Sequence, residues 1–287
     1  MKSGKEVFVT PASERNYNNL SLNTLFFHKM TINHVTQMLE DFAPLDYAED
    51  FDNVGLLVGE ATTPLTGVLV TLDTLENVVD EAIDKNCNLI VSFHPIIFGG
   101  LKKITGKNYV ERVIIKAIKN DIAIYAIHTN LDNYKLGVNK KIGNLLGIKQ
   151  PKILSPKLKT LKKVVVLVPI DHKNVVEEAL FNSGAGKIGN YSECSFSSEG
   201  LGSFKANSNA SPFVGAKNKK HLEPEVKLEV IIDSSQLHKA ISHMIAAHPY
   251  EEVAYDILSL DNVSNDIGSG MFGEIELEMN SIDGLQH

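Results

Sequence analysis

Two short stretches of this chain carry residue types that could do chemistry together. Residues 92–95, Ser-Phe-His-Pro, follow a short apolar run, and residues 128–132, His-Thr-Asn-Leu-Asp, follow the apolar run 122–127. A helical pattern over 110–119 separates them, which predicts a strand–helix–strand unit. Strands connected in this way are normally parallel. We therefore expect both strands to end at one edge of a sheet, which is where open α/β sheets bind their ligands.

Histidine and carboxylate side chains at one sheet edge predict a metal site built from His94, His128 and Asp132. These ligand types suit zinc, iron, manganese or nickel, and the spacing does not choose among them. Each residue also has a structural interpretation, since His94 could be a core histidine and Asp132 could cap the following helix, which is predicted to start at Lys135. Asp73, at the end of an earlier strand, could support a metal-bound histidine or cap the next helix, and the immediate start of that helix favours the cap.

Two further segments have a chemical and a structural interpretation. The loop 99–107 resembles a phosphate loop only superficially, because its spacing and the residue after Lys107 do not fit the motif. Lys102 and Lys103 could still contact a phosphorylated substrate, although the loop pattern favours a solvated segment. Residues 248–252, His-Pro-Tyr-Glu-Glu, could do acid–base work, but their spacing favours a structural role at a helix end.

Composition excludes several classes of protein. The chain has 287 residues and a net charge of −7, which disfavours nucleic acid as a partner. No apolar run approaches the roughly 20 residues that a membrane-spanning helix needs. Cys87 and Cys194 are too few for a disulfide framework, and no secretion signal is recognisable. We therefore expect a cytoplasmic protein that has no membrane partner.

The order of elements predicts two kinds of domain. Helix and strand patterns alternate over residues 30–156, which predicts a parallel sheet covered on both faces. Over 157–262 the order is strand-helix-strand-strand-helix-strand, which is the ferredoxin-like order. It begins with a strand at 161–169 and a helix at 173–182, and residues 205–225 are predicted as a polar loop. Residues 1–29 are rich in Ser, Asn and charge, and we expect a disordered extension before a native start at Met30. Residues 263–287 look like a truncated return to the first domain.

Six segments, in this order, resemble the Nif-three-like dinuclear-metal family, also called GTP cyclohydrolase I type 2 homologues. They are Phe51–Gly59, Ser92–Phe98 with Gly100, His128–Asp132, Gly189–Tyr191, Glu199–Phe204 and His248–Glu252. The resemblance covers residues 30 to about 278. It implies a Nif-three-like α/β domain that carries an inserted PII- and CutA-like domain of ferredoxin type, with the C-terminal part of the α/β domain missing. It also implies a toroidal homohexamer with metal sites facing an internal cavity.

The resemblance implies only part of the family's set of metal ligands. The family's first motif usually carries two adjacent histidines, of which His94 is the second, while Phe93 in the first position cannot bind a metal. Asp132 matches the carboxylate ligand of the second motif. His128 matches a position that is usually histidine but is not a core ligand. The other family ligands, a His and a Glu, belong to the missing C-terminal segment, so we expect an incomplete dinuclear site, because stable catalytic sites use three or more protein ligands.

Two hypotheses of function follow. The family label suggests a metal-dependent hydrolase of a nucleotide-like substrate, such as GTP ring opening with release of formate. In this hypothesis His94 and Asp132 hold the metal, His128 moves protons, and Lys102 or Lys103 contacts the phosphates. The alternative is a non-catalytic hexameric metal-binding scaffold or adaptor protein, which the missing ligands favour.

Overall fold

The computed structural model describes residues 30–275 of the chain, which form two compact units. The first unit ends at Asn130, and the second begins at Leu131. The predicted extension 1–29 and the last residues of the predicted return, 276–287, lie outside the described residues. The predicted domain limits at 156 and 262 stay predictions.

The first unit is built on a four-stranded mixed sheet. Its elements are α1 (Ile32–Phe42), β1 (Gly55–Val58), β2 (Val68–Thr71), α2 (Glu76–Asp84), β3 (Leu89–Ser92), α3 (Tyr109–Lys119) and β4 (Ala123–Ala126). The strand order is β1-β4-β3-β2, with β2, β3 and β4 parallel and β1 antiparallel to β4. The prediction of an entirely parallel sheet is therefore wrong for β1. No helix lies between β1 and β2, so the crossover that makes successive strands parallel is absent there.

The two central strands of this sheet are buried along their whole length. Every residue of β3 and β4 is buried, as expected for parallel strands covered on both faces. On one face, Ile90 and Ile124 pack in a cluster with Val79 of α2 and Val113 of α3. This packing fixes the carboxyl ends of β3 and β4, from which the candidate site residues extend.

The chain continues through two helices, α4 (Thr129–Asp132) and α5 (Val138–Leu145). The short helix α4 was not predicted, and α5 begins three residues later than the predicted start at 135. Gly137 is the residue before α5, and a Cβ atom there would lie 1.8 Å from the carbonyl oxygen of Leu131. Only glycine tolerates so close an approach of two backbone segments, and this turn delays the helix.

The second unit contains two antiparallel sheets. Its remaining elements are β5 (Lys149–Pro156), β6 (Leu161–Pro169), α6 (Lys173–Asn182), β7 (Ser195–Lys205), β8 (Lys220–Asp233), α7 (Ser234–Ala247), β9 (Tyr255–Ser259) and β10 (Gly268–Glu274). β5 pairs with β10, and the other four strands form a sheet in the order β7-β8-β6-β9. From β6 to β9 the elements follow the strand-helix-strand-strand-helix-strand order that the sequence predicts. The core of this sheet contains Val164, Leu228, Leu180 of α6 and Met244 of α7.

The predicted polar loop over 205–225 is shorter in the structure. β8 begins at Lys220, and its residues 220–225 pair with β7 in a regular antiparallel ladder. This end of the hairpin is largely exposed, so its composition is polar even though its backbone is a strand.

Among residues 30–275, none of the helices has the length and apolar character needed to cross a lipid bilayer.

Candidate functional site

Three side-chain rings meet at the carboxyl edge of the first unit's sheet. Ser92 at the end of β3 pairs with Ala126 at the end of β4, so the residues after both strands leave the sheet side by side. The ring centroids of Phe93, His94 and His128 lie 5.1 to 5.3 Å from one another. The structure therefore brings His94 and His128 together, at the edge where the strand–helix–strand connection directs them.

A buried carboxylate holds the ring of His128. Both oxygens of Asp52 lie 3.0 Å from Nδ1 of His128, and the Asp52 side chain is fully buried. Asp52 also accepts the backbone N–H and the hydroxyl of Thr129. Burial disfavours the ionised form, but the hydrogen bonds from His128 and Thr129 outweigh it and lower the pKa of Asp52. An ionised carboxylate only accepts hydrogen bonds, so Nδ1 of His128 carries a proton and Nε2 remains for chemistry.

Further hydrogen bonds hold the turn that carries His128. The hydroxyl of Thr129 accepts the N–H of Glu49 at 2.9 Å. The N–H of His128 donates to the side chain of Asn130 at 2.9 Å, and Asn130 in turn donates to the carbonyl of Ala43 at 2.7 Å. Asn130 is fully buried, so both the backbone and the ring of His128 are positioned by an internal network.

The spacing of the sequence does not reveal Asp52, because 76 residues separate it from His128. The one signal in the sequence is its place in the family-like segment Phe51–Gly59, directly before β1.

A second carboxylate holds the ring of His94. Nδ1 of His94 lies 2.8 Å from Oδ1 of Asp73, and both side chains are about half exposed. The residue that precedes α2 at the N-cap position is Leu75, so the interpretation of Asp73 as the helix cap is wrong. The structure instead supports the other interpretation, in which Asp73 orients a histidine. Nε2 of His94 has no hydrogen-bond partner in the described part of the chain.

Asp132 belongs to the second unit, where it ends α4. Its backbone carbonyl accepts a hydrogen bond from the side chain of Asn139 at 2.9 Å. Asp132 does not cap the next long helix, because the N-cap residue of α5 is Gly137. The role of Asp132 as a metal ligand stays a prediction.

The lysine-bearing loop between β3 and α3 is organised by a carboxylate of the protein itself. Lys102 and Lys103 are exposed on it. One oxygen of Glu111 accepts the backbone N–H of Thr105 at 2.8 Å and that of Lys107 at 3.0 Å. These two N–H groups are thus occupied by Glu111 and not available to a phosphate.

Replacing Glu111 with glutamine should flatten the dependence of stability on acid pH. The N–H groups of Thr105 and Lys107 and the Thr105 hydroxyl lower the pKa of Glu111 below its ordinary 4.5. A carboxyl with a lowered pKa stabilises the fold above its ordinary pKa and loses that contribution as the pH falls through the folded value. Urea midpoints at pH 6, 4 and 3 should therefore fall more steeply for wild type than for Glu111→Gln. The exposed Glu60→Gln is the control of equal charge change, and equal slopes for Glu111→Gln and wild type would contradict the prediction.

The donors at the sheet edge of the first unit fit a divalent metal only in part. A histidine whose Nδ1 is held by a carboxylate, as in His94, is the usual form of a metal-binding histidine. Phe93, whose ring lies beside those of both histidines, offers no donor atom. Within residues 30–275, no three His, Cys, Asp or Glu side chains converge closely enough to hold an ion. A complete coordination shell therefore needs further donors.

In the segment 248–252 of the second unit, the ring nitrogens of His248 and the hydroxyl of Tyr250 all have hydrogen-bond partners. Nε2 of His248 donates to the carbonyl of Leu167 at 3.0 Å, and Nδ1 accepts the N–H of Tyr250 at 3.1 Å. Burial lowers the pKa of His248, which favours its neutral form. The hydroxyl of Tyr250 donates to Glu225 at 3.0 Å. Both ring nitrogens of His248 are in use, which supports the structural interpretation of this segment.

The fold places the chain among mixed α/β proteins, and comparison with known proteins assigns it to a family. Its fold is similar to the crystal structure of a Bacillus cereus protein related to NIF3, with a TM-score of 0.75 and 41% identity, over 89% of this chain and 68% of that one. Residues 30–281 match the sequence model of Duf34/NIF3 (NGG1p interacting factor 3), and the chain belongs to this family. The resemblance noted in the sequence motifs is thus confirmed.

Curated relatives of this chain carry the name GTP cyclohydrolase 1 type 2 homolog. The chain is 44% identical to the Bacillus subtilis protein over 246 residues, which are 85% of this chain and 66% of the relative. It is 34% identical to a Staphylococcus epidermidis protein over 250 residues, which are 87% of this chain and 68% of the relative. The chain therefore spans about two thirds of the length of these relatives.

Proposed function

We propose that this protein is a metal-dependent hydrolase of a nucleotide-like substrate, with His94 and Asp132 as ligands of a zinc, iron, manganese or nickel ion. The observation that carries the proposal is the ring of His94, whose Nδ1 is held by Asp73 while Nε2 is left for an ion. The name of the relatives supports the class of substrate. A divalent ion supplies Lewis-acid chemistry and makes water a better nucleophile near neutral pH.

In this proposal the chain's own residues orient a general base, transfer protons and contact the phosphate groups. Asp52 keeps the proton of His128 on Nδ1, so that Nε2 can accept a proton from water and return it to a leaving group. The rings of Phe93 and His128 pack in a T-shaped pair with their centroids 5.1 Å apart. Lys102 and Lys103 are exposed and available to contact phosphate groups.

The test is release of formate from GTP, measured with each of the four metals added. We expect His94→Ala and Asp132→Ala to lower the rate by about 100-fold or more, because each removes a ligand of an already sparse site. Asp84→Ala, which removes an exposed carboxylate of α2, is the matched control and should leave the rate unchanged. Equal rates for wild type and Asp132→Ala would eliminate the proposed site.

One observation favours a second function, that of a non-catalytic metal-binding scaffold or adaptor. In the described part of the chain, no group of three potential ligands converges on one point. The toroidal homohexamer implied by the family resemblance would serve either function. Native mass spectrometry of metal-supplemented protein gives the number of subunits and the metal content together. A content well below one ion per subunit would favour the scaffold over the hydrolase.

A further inference from the structure

The second unit contains a cleft that is independent of the sequence motifs. It has a volume of about 620 Å³ and lies among the segment after α4, α5, β5 and β10. Clefts of roughly 300–1,000 Å³ are the usual size for small-molecule sites. None of the candidate site residues from the sequence lines it.

The lining of this cleft is positively charged although the chain as a whole is acidic. Three lysines, Lys135, Lys140 and Lys152, line it together with one aspartate, Asp266. Lys135 forms an ion pair with Asp266 at 2.8 Å. Lys140 and Lys152 have no ion-pair partner among residues 30–275. The lining therefore carries two uncompensated positive charges in a protein whose net charge is −7.

The same cleft has an apolar wall. Leu136, Ile153, Met271 and Phe272 line it, and Leu136 and Phe272 are each about half exposed. Exposed apolar side chains beside unpaired ammonium groups suit a ligand that has an anionic end and an apolar or aromatic end.

We propose that this cleft binds a small organic anion with an aromatic ring, namely a nucleoside monophosphate. Lys140 and Lys152 attract the phosphate, and the wall formed by Leu136, Ile153, Met271 and Phe272 receives the base. The choice of a nucleotide rests on the proposed function, whereas the recognition of an organic anion rests on the cleft alone. The cleft thereby gives the proposed substrate class a binding site separate from Lys102 and Lys103.

Calorimetric titration with GMP and with guanosine tests this proposal in buffer that contains EDTA, so that binding through a metal does not contribute. We expect wild type to bind GMP about tenfold or more tightly than guanosine, and the affinity for GMP to fall with added salt. Lys140→Gln/Lys152→Gln should lower the affinity for GMP by about tenfold or more. Lys219→Gln/Lys220→Gln is the control with the same charge change, because both lysines are exposed in the same unit and outside the cleft.

Two results would overturn the proposal: no binding of GMP to wild type at millimolar concentration, or equal affinity of the Lys140→Gln/Lys152→Gln variant. Phe272→Ala should weaken GMP but leave the binding of inorganic phosphate unchanged, and a parallel loss of both would argue against the assigned role of the apolar wall. Failure of the binding proposal can be distinguished from failure of the proposed hydrolase activity. Binding that depends on Lys140 and Lys152 without formate release supports the cleft and refutes the hydrolase, and the opposite pair of results refutes only the cleft.

Discussion

Asp52→Ala is expected to lower the free energy of unfolding of the first unit by about 2–4 kcal/mol. The fully buried carboxylate is the acceptor for Nδ1 of His128 and for the N–H and hydroxyl of Thr129. Alanine leaves these three donors, which are only partly exposed, without their partner, and an unpaired donor shielded from water costs more than the net value of its bond. Urea unfolding at pH 7, followed by circular dichroism, measures the change.

The exposed neighbour Asp50 provides the control, because Asp50→Ala removes the same charge and should change stability by no more than about 0.5 kcal/mol. Asp52→Asn separates stability from chemistry. The amide keeps one acceptor oxygen, but its NH₂ group can donate to Nδ1 of His128 and so move the ring proton to Nε2. We therefore expect Asp52→Asn to retain more stability than Asp52→Ala while any formate release is lost. An unfolding midpoint of Asp52→Ala equal to that of wild type would show that the network does not stabilise the fold.

Phe93→His is expected to raise the affinity for zinc by about tenfold or more. The ring of Phe93 lies 5.2 Å from that of His94 and 5.1 Å from that of His128, so an imidazole in its place stands beside both histidines. The family resemblance implies the same position for a metal-binding histidine. Because wild type has no third convergent ligand among residues 30–275, one more nitrogen donor should have a large effect. Competition with a zinc-binding dye measures the affinity.

Phe98→His is the matched control, because Phe98 is an exposed aromatic residue in the same loop whose ring faces Phe51 at 6.4 Å. It adds the same imidazole at a ring that, among the described residues, contacts neither that of His94 nor that of His128. Equal zinc affinity of Phe93→His and Phe98→His would contradict a metal site at this edge.

The elements with a single strong pattern could be predicted from the sequence almost to the residue. The strand Leu161–Pro169 and the helix Lys173–Asn182 have the predicted bounds, because local preference and burial agree along each of them. β1 was not predicted, because Gly55 and Gly59 stand at its two ends and glycine is typical of turns rather than of strands. β5 was missed because it contains Pro151, which lies where the pairing with β10 shifts register. Proline is tolerated in a sheet at such irregularities, and a sequence pattern cannot reveal them.

The sequence by itself determined that His94 and His128 leave neighbouring strands at one edge. An apolar run, a helix and a second apolar run predict two parallel neighbouring strands, and β3 and β4 are parallel neighbours in the structure. Only the tertiary structure decided which carboxylates hold the two rings. Asp73 is 21 residues from His94, and Asp52 is 76 residues from His128. The tertiary structure also decided that Lys140 and Lys152 line the same cleft. Periodicity encodes single helices and strands, whereas contacts between distant side chains depend on how those elements pack.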